Sequence, residues 1–239
     1  MRTMLLGLAV AILAKGGTVD QRQPVLVELF TSEGCSSCPP ADALLVKMDR
    51  EQPVPGAQII VLSEHVDYWN HDGWTDPFSS AAITHRQETY DRRFGLDGPY
   101  TPEMIVDGTA EFNGSDPHKA ESAIRAAAQS PKVGVRIRPV PGDASVTIEV
   151  DPLPAGPARK ANVYVAHAAD TGASDVLRGE NQGRHLQHVA ILKDIHPAGK
   201  ITDRAGFQKQ IPAPPGARLV VIVQDGDAGT VYGAALYAK

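Results

Sequence analysis

The chain holds two cysteines, Cys35 and Cys38, in the stretch Glu28-Leu-Phe-Thr-Ser-Glu-Gly-Cys35-Ser-Ser-Cys38-Pro-Pro-Ala-Asp42. Two thiols three positions apart suit reversible disulfide chemistry when the first forms a thiolate easily. The flanking sequence provides for that. Residues 24–30 are an apolar, strand-like run. Residues 39–50 read as a helix whose first turn accepts Pro39 and Pro40, because amide hydrogens there have no intrahelical partner. The cysteines therefore stand at a helix N-terminus, where free amides and the helix dipole favour negative charge. Cys35 is expected to be the exposed attacking thiol, with its pKa lowered into the ~3.5–7.5 range of helix-terminal thiols. Cys38, one turn further in, is expected to resolve the mixed disulfide. Ser36 and Ser37 could donate hydrogen bonds to the Cys35 sulfur.

Two other uses of such a pair explain less. Structural zinc usually takes four ligands, and the chain has no second cysteine pair. A staple over so short a loop removes little chain entropy. Histidines offer the alternative: Cys35, Cys38 and His65 could together hold copper. Asp67, His71 and Asp72 lie near His65, in a loop that also carries Tyr68, Trp69 and Trp74. The plainer reading is a rigid polar loop packed over the edge of the site. His185 and His188 read as structural. No nucleotide-binding glycine loop or serine-hydrolase elbow is present, and the chemistry requires no organic cofactor.

The elements that would position the pair follow from hydrophobic periodicity. Residues 57–63 form a second apolar strand and residues 79–94 an amphipathic helix. Residues 103–114 form a hairpin about Asp107-Gly108, and residues 117–129 a helix capped by Asp116 or Ser115. Beyond residue 131 the texture becomes strand-like, at 133–138, 145–150, 162–167 and 219–224, with proline- and glycine-rich breaks between. The expected organisation is an α/β domain at 21–130 and a mainly β region at 131–239.

At 239 residues with 42% hydrophobic and 21% charged residues, the chain can bury a substantial core. A net charge of -5 with no basic cluster gives no footprint for nucleic acid. Met4 to Ala14 is an apolar run of 11 residues after Arg2. It is too short to span the ~30 Å of hydrocarbon in a bilayer and matches the core of a secretory signal within residues 1–20. The expectation is export to a bacterial periplasm or the exterior, with no stable membrane span in the mature chain. A close cysteine pair can persist as a disulfide there.

The first half resembles thioredoxin, on an apolar strand from Val25 to Phe30, on Cys35 and Cys38 at a helix start, and on Thr101-Pro102 downstream. The resemblance implies a cis Pro102 facing the cysteines, with the Thr101 backbone holding a substrate strand. It also implies that Glu28 stands for a buried carboxylate that accepts the Cys38 proton. A closer resemblance is to the bacterial exported proteins of the domain-of-unknown-function 1223 family. It rests on residues 28–42, His65-Val-Asp-Tyr-Trp69, Gly73-Trp74, Asp76-Pro-Phe78, Tyr100-Thr-Pro102 and Gly179-Glu-Asn181 with Gly183-Arg184. It implies a thioredoxin-like α/β fold with an appended β region. The expected function is thiol–disulfide exchange with a protein or small-molecule partner. The alternative is a binding module or copper carrier of the same fold.

Overall fold

The computed structural model describes residues 22–157, 160–213 and 216–238. The expected signal segment lies outside them. Their order is β1 (Gln23–Thr31), α1 (Pro39–Glu51), β2 (Ala57–His65), α2 (Ala81–Phe94), β3 (Glu103–Val106), β4 (Ala110–Asn113) and α3 (Pro117–Ala127). Seven strands follow: β5 (Val135–Pro139), β6 (Ser145–Val150), β7 (Lys160–Asp175), β8 (His185–Thr202), β9 (Phe207–Pro212), β10 (Ala217–Gln224) and β11 (Val231–Tyr237).

Eight strands form one mixed sheet in the order β11-β10-β7-β8-β2-β1-β3-β4. Strand β1 runs parallel to β2 and antiparallel to β3. The composition change near residue 131 separates helix-bearing from strand-only sequence, yet this sheet runs across it. Strands β5, β6 and β9 make a second, three-stranded sheet. The molecule is α/β with strand predominating.

Alternation along β1 fixes what each face of the sheet meets. Val25, Val27 and Leu29 pack with Leu45 and Met48 of α1 and Ile124 of α3. Leu26 and Phe30 point the other way, to Ile83 and Tyr90 of α2. All five β1 residues are fully buried, each contributing about 1.5–3 kcal/mol relative to exposure. A third core, between the two sheets, gathers Val146, Ile148, Val163, Val165, Val221 and Val223.

Capping sets the helix limits. Ser80 accepts a hydrogen bond from the Ile83 amide at the start of α2, and Gly95 ends it in the left-handed conformation. Asp116 caps α3 by accepting from His118 and Lys119. Cys38 is the N-cap of α1, its carbonyl accepting from the Ala41 and Asp42 amides. At the β3–β4 turn, Gly108 has φ +62° and approaches Gly229 so closely that a Cβ would lie 2.1 Å from its carbonyl oxygen. Only glycine fits there.

Candidate functional site

The turn after β1 delivers both cysteines to the start of α1, where they form a disulfide. The Cys35 Sγ lies 3.3 Å from the Ser37 hydroxyl and 3.8 Å from the Thr101 carbonyl oxygen. The Thr101-Pro102 peptide is cis. The loop before β3 and the first turn of α1 are thus brought together, and Cys35, Cys38, Thr101 and Pro102 share one site.

Cys35 was expected to be exposed, but only 1% of its surface is open. Distant residues bond to the backbone around it. Asn181 donates hydrogen bonds of 2.9 Å to the carbonyls of Glu33 and Cys35. Glu180 accepts from the Ser36 amide at 3.0 Å. The Trp69 indole donates to the Thr101 hydroxyl at 2.8 Å. A Cβ on Gly34 would sit 2.9 Å from the Trp69 Cβ, so this glycine lets the indole close over the turn.

Glu28 requires a second correction. It follows Leu26 and Phe30 onto the α2 face, away from the helix that carries the cysteines. There Arg86 grips it with a 2.9 Å bond from Nε and a shorter one from a terminal nitrogen. The Tyr90 hydroxyl donates to it at 2.7 Å. Glu64, on the neighbouring strand, shares the same guanidinium at 3.6 Å. Burial, and then the charge of Glu28, push the Glu64 carboxyl well above its ordinary range. Strand parity therefore makes Glu28 part of a buried ion network.

The buried carboxylates near the disulfide are Glu33, Asp42 and Asp76. Asp42 lies four residues after Cys38 on α1, the spacing that makes helix neighbours. Neither of its oxygens has a hydrogen-bond partner. Burial raises its pKa above the ordinary aspartate value, against the opposing pull of His188 and His65. The His188 Nδ1 stands 3.9 Å from the Asp42 carboxylate, and its Nε2 hydrogen bonds Glu33 at 3.2 Å. Burial lowers the His188 pKa, but the Glu33 hydrogen bond and the charges of Asp42, Glu33 and Asp76 outweigh it, so the net direction is upward. Glu33 also accepts from the Trp74 indole at 2.8 Å.

His65 hydrogen bonds Asp76 through Nδ1 at 2.7 Å and Ser63 through Nε2 at 3.1 Å. Burial opposes ionisation of Asp76, but the His65 bond and charge and the Glu33 and Phe78 amides lower its pKa overall. Both His65 nitrogens are occupied, which removes the free imidazole that the alternative copper set of Cys35, Cys38 and His65 needs. The His65 and His188 rings meet edge to face at 4.5 Å, with Phe78 against both.

Asp42 forms part of the wall of a cleft of about 340 Å³, with Pro39, Ala43, Val46, His185, Leu186 and Gln187. Asp42 borders this cleft, but both of its carboxyl oxygens are buried. Sequence analysis carries Asp42 only as the last residue of the cysteine motif and reads His188 as structural. The i, i+4 step from Cys38 was the available signal for Asp42. Nothing local marked His188, which β8 carries in from more than a hundred residues away.

Among solved structures, the chain is similar to protein AGR_C_4864 from Agrobacterium tumefaciens, with 28% identity and a TM-score of 0.73 over 91% of this chain and 95% of that one. It shares the fold of HBP35 of Porphyromonas gingivalis at 14% identity and a TM-score of 0.54, over 91% of this chain and 75% of that one. No curated protein sequence matches it. The family model for a protein of unknown function, DUF1223, matches residues 26–224, and the chain belongs to that family.

Proposed function

We propose that the protein is an exported, thioredoxin-like thiol–disulfide exchange protein whose working pair is Cys35 and Cys38. The observation that carries this reading is the disulfide at the α1 N-terminus, with the Cys35 sulfur beside both the Ser37 hydroxyl and the Thr101 carbonyl. In the reduced protein the Cys35 thiolate would attack a substrate disulfide. One substrate thiolate would leave and a Cys35–substrate disulfide would form. The Cys38 thiolate would then attack the Cys35 sulfur, releasing the second substrate thiolate and restoring the internal disulfide. Two electrons pass from the protein to the substrate, and the reverse sequence oxidises a dithiol.

Thr101 and Pro102 are assigned to holding the substrate backbone. Asp42 replaces Glu28 as the acceptor of the Cys38 proton. It is one helical turn from that cysteine, its buried oxygens have no hydrogen-bond partner, and its residue borders a cleft. A protein substrate could reach Cys35 only after the Asn181 and Trp69 cover opens. Persistence of the pair as a disulfide suits an oxidising compartment. Among the described residues, no helix is long and apolar enough to cross a membrane.

Equilibration of the full chain with glutathione redox buffers, followed by alkylation and mass measurement, tests the reading. A two-electron transition is expected, together with catalysed reduction of a protein disulfide that Cys35→Ser abolishes. A pair that stays oxidised across the buffers, with no mixed disulfide trapped in Cys38→Ser, would overturn it.

A further inference from the structure

The β7–β8 hairpin carries a second constellation that takes no part in the contacts at the disulfide. His167 of β7 lies directly opposite Asp194 of β8 in the strand register. His196 follows Asp194 by two residues, so the two share a face of β8. The register shifts between His167 and Ala168, and this irregularity pairs Ala168 with Leu192 and His167 with Asp194. The His167 Nδ1 lies 2.8 Å from Asp194 Oδ1, and the His196 Nδ1 lies 3.2 Å from the same oxygen. The rings tilt toward each other at 5.6 Å between centroids.

The geometry points to a binding site for a divalent transition-metal cation of the zinc class, held by His167, Asp194 and His196. Two imidazoles and one carboxylate suit zinc, nickel or copper(II) better than magnesium or calcium, which prefer all-oxygen ligands. Bonds of about 2.0–2.1 Å in a tetrahedron put neighbouring ligand atoms ~3.3 Å apart. The Asp194 oxygen already stands near that spacing from both nitrogens, and one ligand atom from each residue lies within 4.8 Å of the others.

Loading requires only a tautomer change in neutral histidine. The Nδ1 protons that now serve the carboxylate would move to Nε2, exposing two lone pairs toward the ion. The carboxylate would offset one of the two positive charges. The side chains of Asp194 and His196 are 55% and 53% exposed, so an ion can enter from solvent and water can fill a fourth position.

Calorimetric titration of zinc into the chelator-stripped, disulfide-form protein tests the site without competition from free thiols. One ion per chain is expected. His167→Ala and His196→Ala should each weaken binding by more than about tenfold, the smaller end of what even outer-shell changes cost. His185→Ala is the control, since His185 makes a similar exposed pair with Asp175 at 2.8 Å. Cobalt(II) should give a visible absorption band that both ligand variants lose. No zinc uptake, unchanged affinity in both ligand variants, or an equal loss in the control would overturn the assignment.

Discussion

On the α2 face of the sheet, Glu28 and Glu64 share one guanidinium, that of Arg86. On the α1 face, Glu33, Asp42 and Asp76 share two imidazoles, those of His65 and His188. Both clusters are buried, and their cations differ in kind. Arginine is always charged and grips a carboxylate in a fixed fork. Histidine can give up its proton near neutral pH. Tyr90 and Gln224 add further hydrogen bonds to the first cluster, yet both Glu64 oxygens there lack a hydrogen-bond partner, as do both Asp42 oxygens and the His188 Nδ1 in the second. The difference teaches which carboxylate to connect with the disulfide. The arginine cluster holds α2 to the sheet under a permanent charge, and the histidine cluster sets Asp42 one helical turn from Cys38.

Removing the arginine should break this contrast most severely. Arg86→Met leaves two buried carboxylates without their cation and should lower stability by about 3–5 kcal/mol in urea unfolding. The variant that remains folded should exchange disulfides at the wild-type rate. A large loss of exchange with little loss of stability would reverse the roles given to the two clusters.

Asp42→Asn should do the opposite. It removes the proposed proton acceptor, and resolution by Cys38 should slow by about 100-fold, the lower end of the usual acid–base contribution. The fold should not suffer. Asp42 titrates above its reference value of 3.8 in the native state, so the native protein binds more protons than the unfolded chain as pH rises past that value. Stability therefore falls with rising pH on account of Asp42, and the Asn variant should gain most on the alkaline side. Unfolding curves at several pH values, beside single-turnover thiol trapping, separate the two effects.

Glu103 sharpens the comparison on the α2 side. Burial is the main reason that its pKa is pushed up to about 8 from 4.5, despite a hydrogen bond from Gln87. The native state again holds the extra proton, so stability should decline as pH rises from 4.5 through about 8. Glu103→Gln should flatten that decline without altering exchange, as paired stability and activity profiles would show. The smallest expected effect is at the cover. Gly34→Ala pushes a methyl against the Trp69 Cβ and carbonyl, and should cost about 1 kcal/mol through overpacking. It should also make Cys35 more reactive to alkylating agents after reduction.

The first seven elements were legible because each carried an uninterrupted local signal. Proline opens α1, Asp107-Gly108 marks the hairpin, and apolar runs mark β1 and β2. Strands β8, β9 and β11 went unread. In β8 a left-handed Ala190 and register shifts against β7 break the alternation, and its later half, Lys193-Asp-Ile-His-Pro-Ala-Gly-Lys200, is polar. In β11, Val231-Tyr-Gly-Ala-Ala-Leu-Tyr237 places glycine and alanine where strand formers would signal. The cysteine pair and Thr101-Pro102 were visible from spacing. The orientation of Glu28 was not, because alternation divides a strand into two sets of residues without saying which one the helix after the cysteines will cover.

Asn181 reaches back 146 positions to hold the Cys35 carbonyl, which has a consequence for the order of events during synthesis. Ribosomes release a chain from its N-terminus, so both thiols emerge long before the residue that shuts them in. Trp69 and Thr101 follow within 66 residues, but the bonds to Glu180 and from Asn181 come only after most of the chain is made. An oxidant or a mixed-disulfide partner meets a far more open Cys35 on the nascent chain than on the finished molecule.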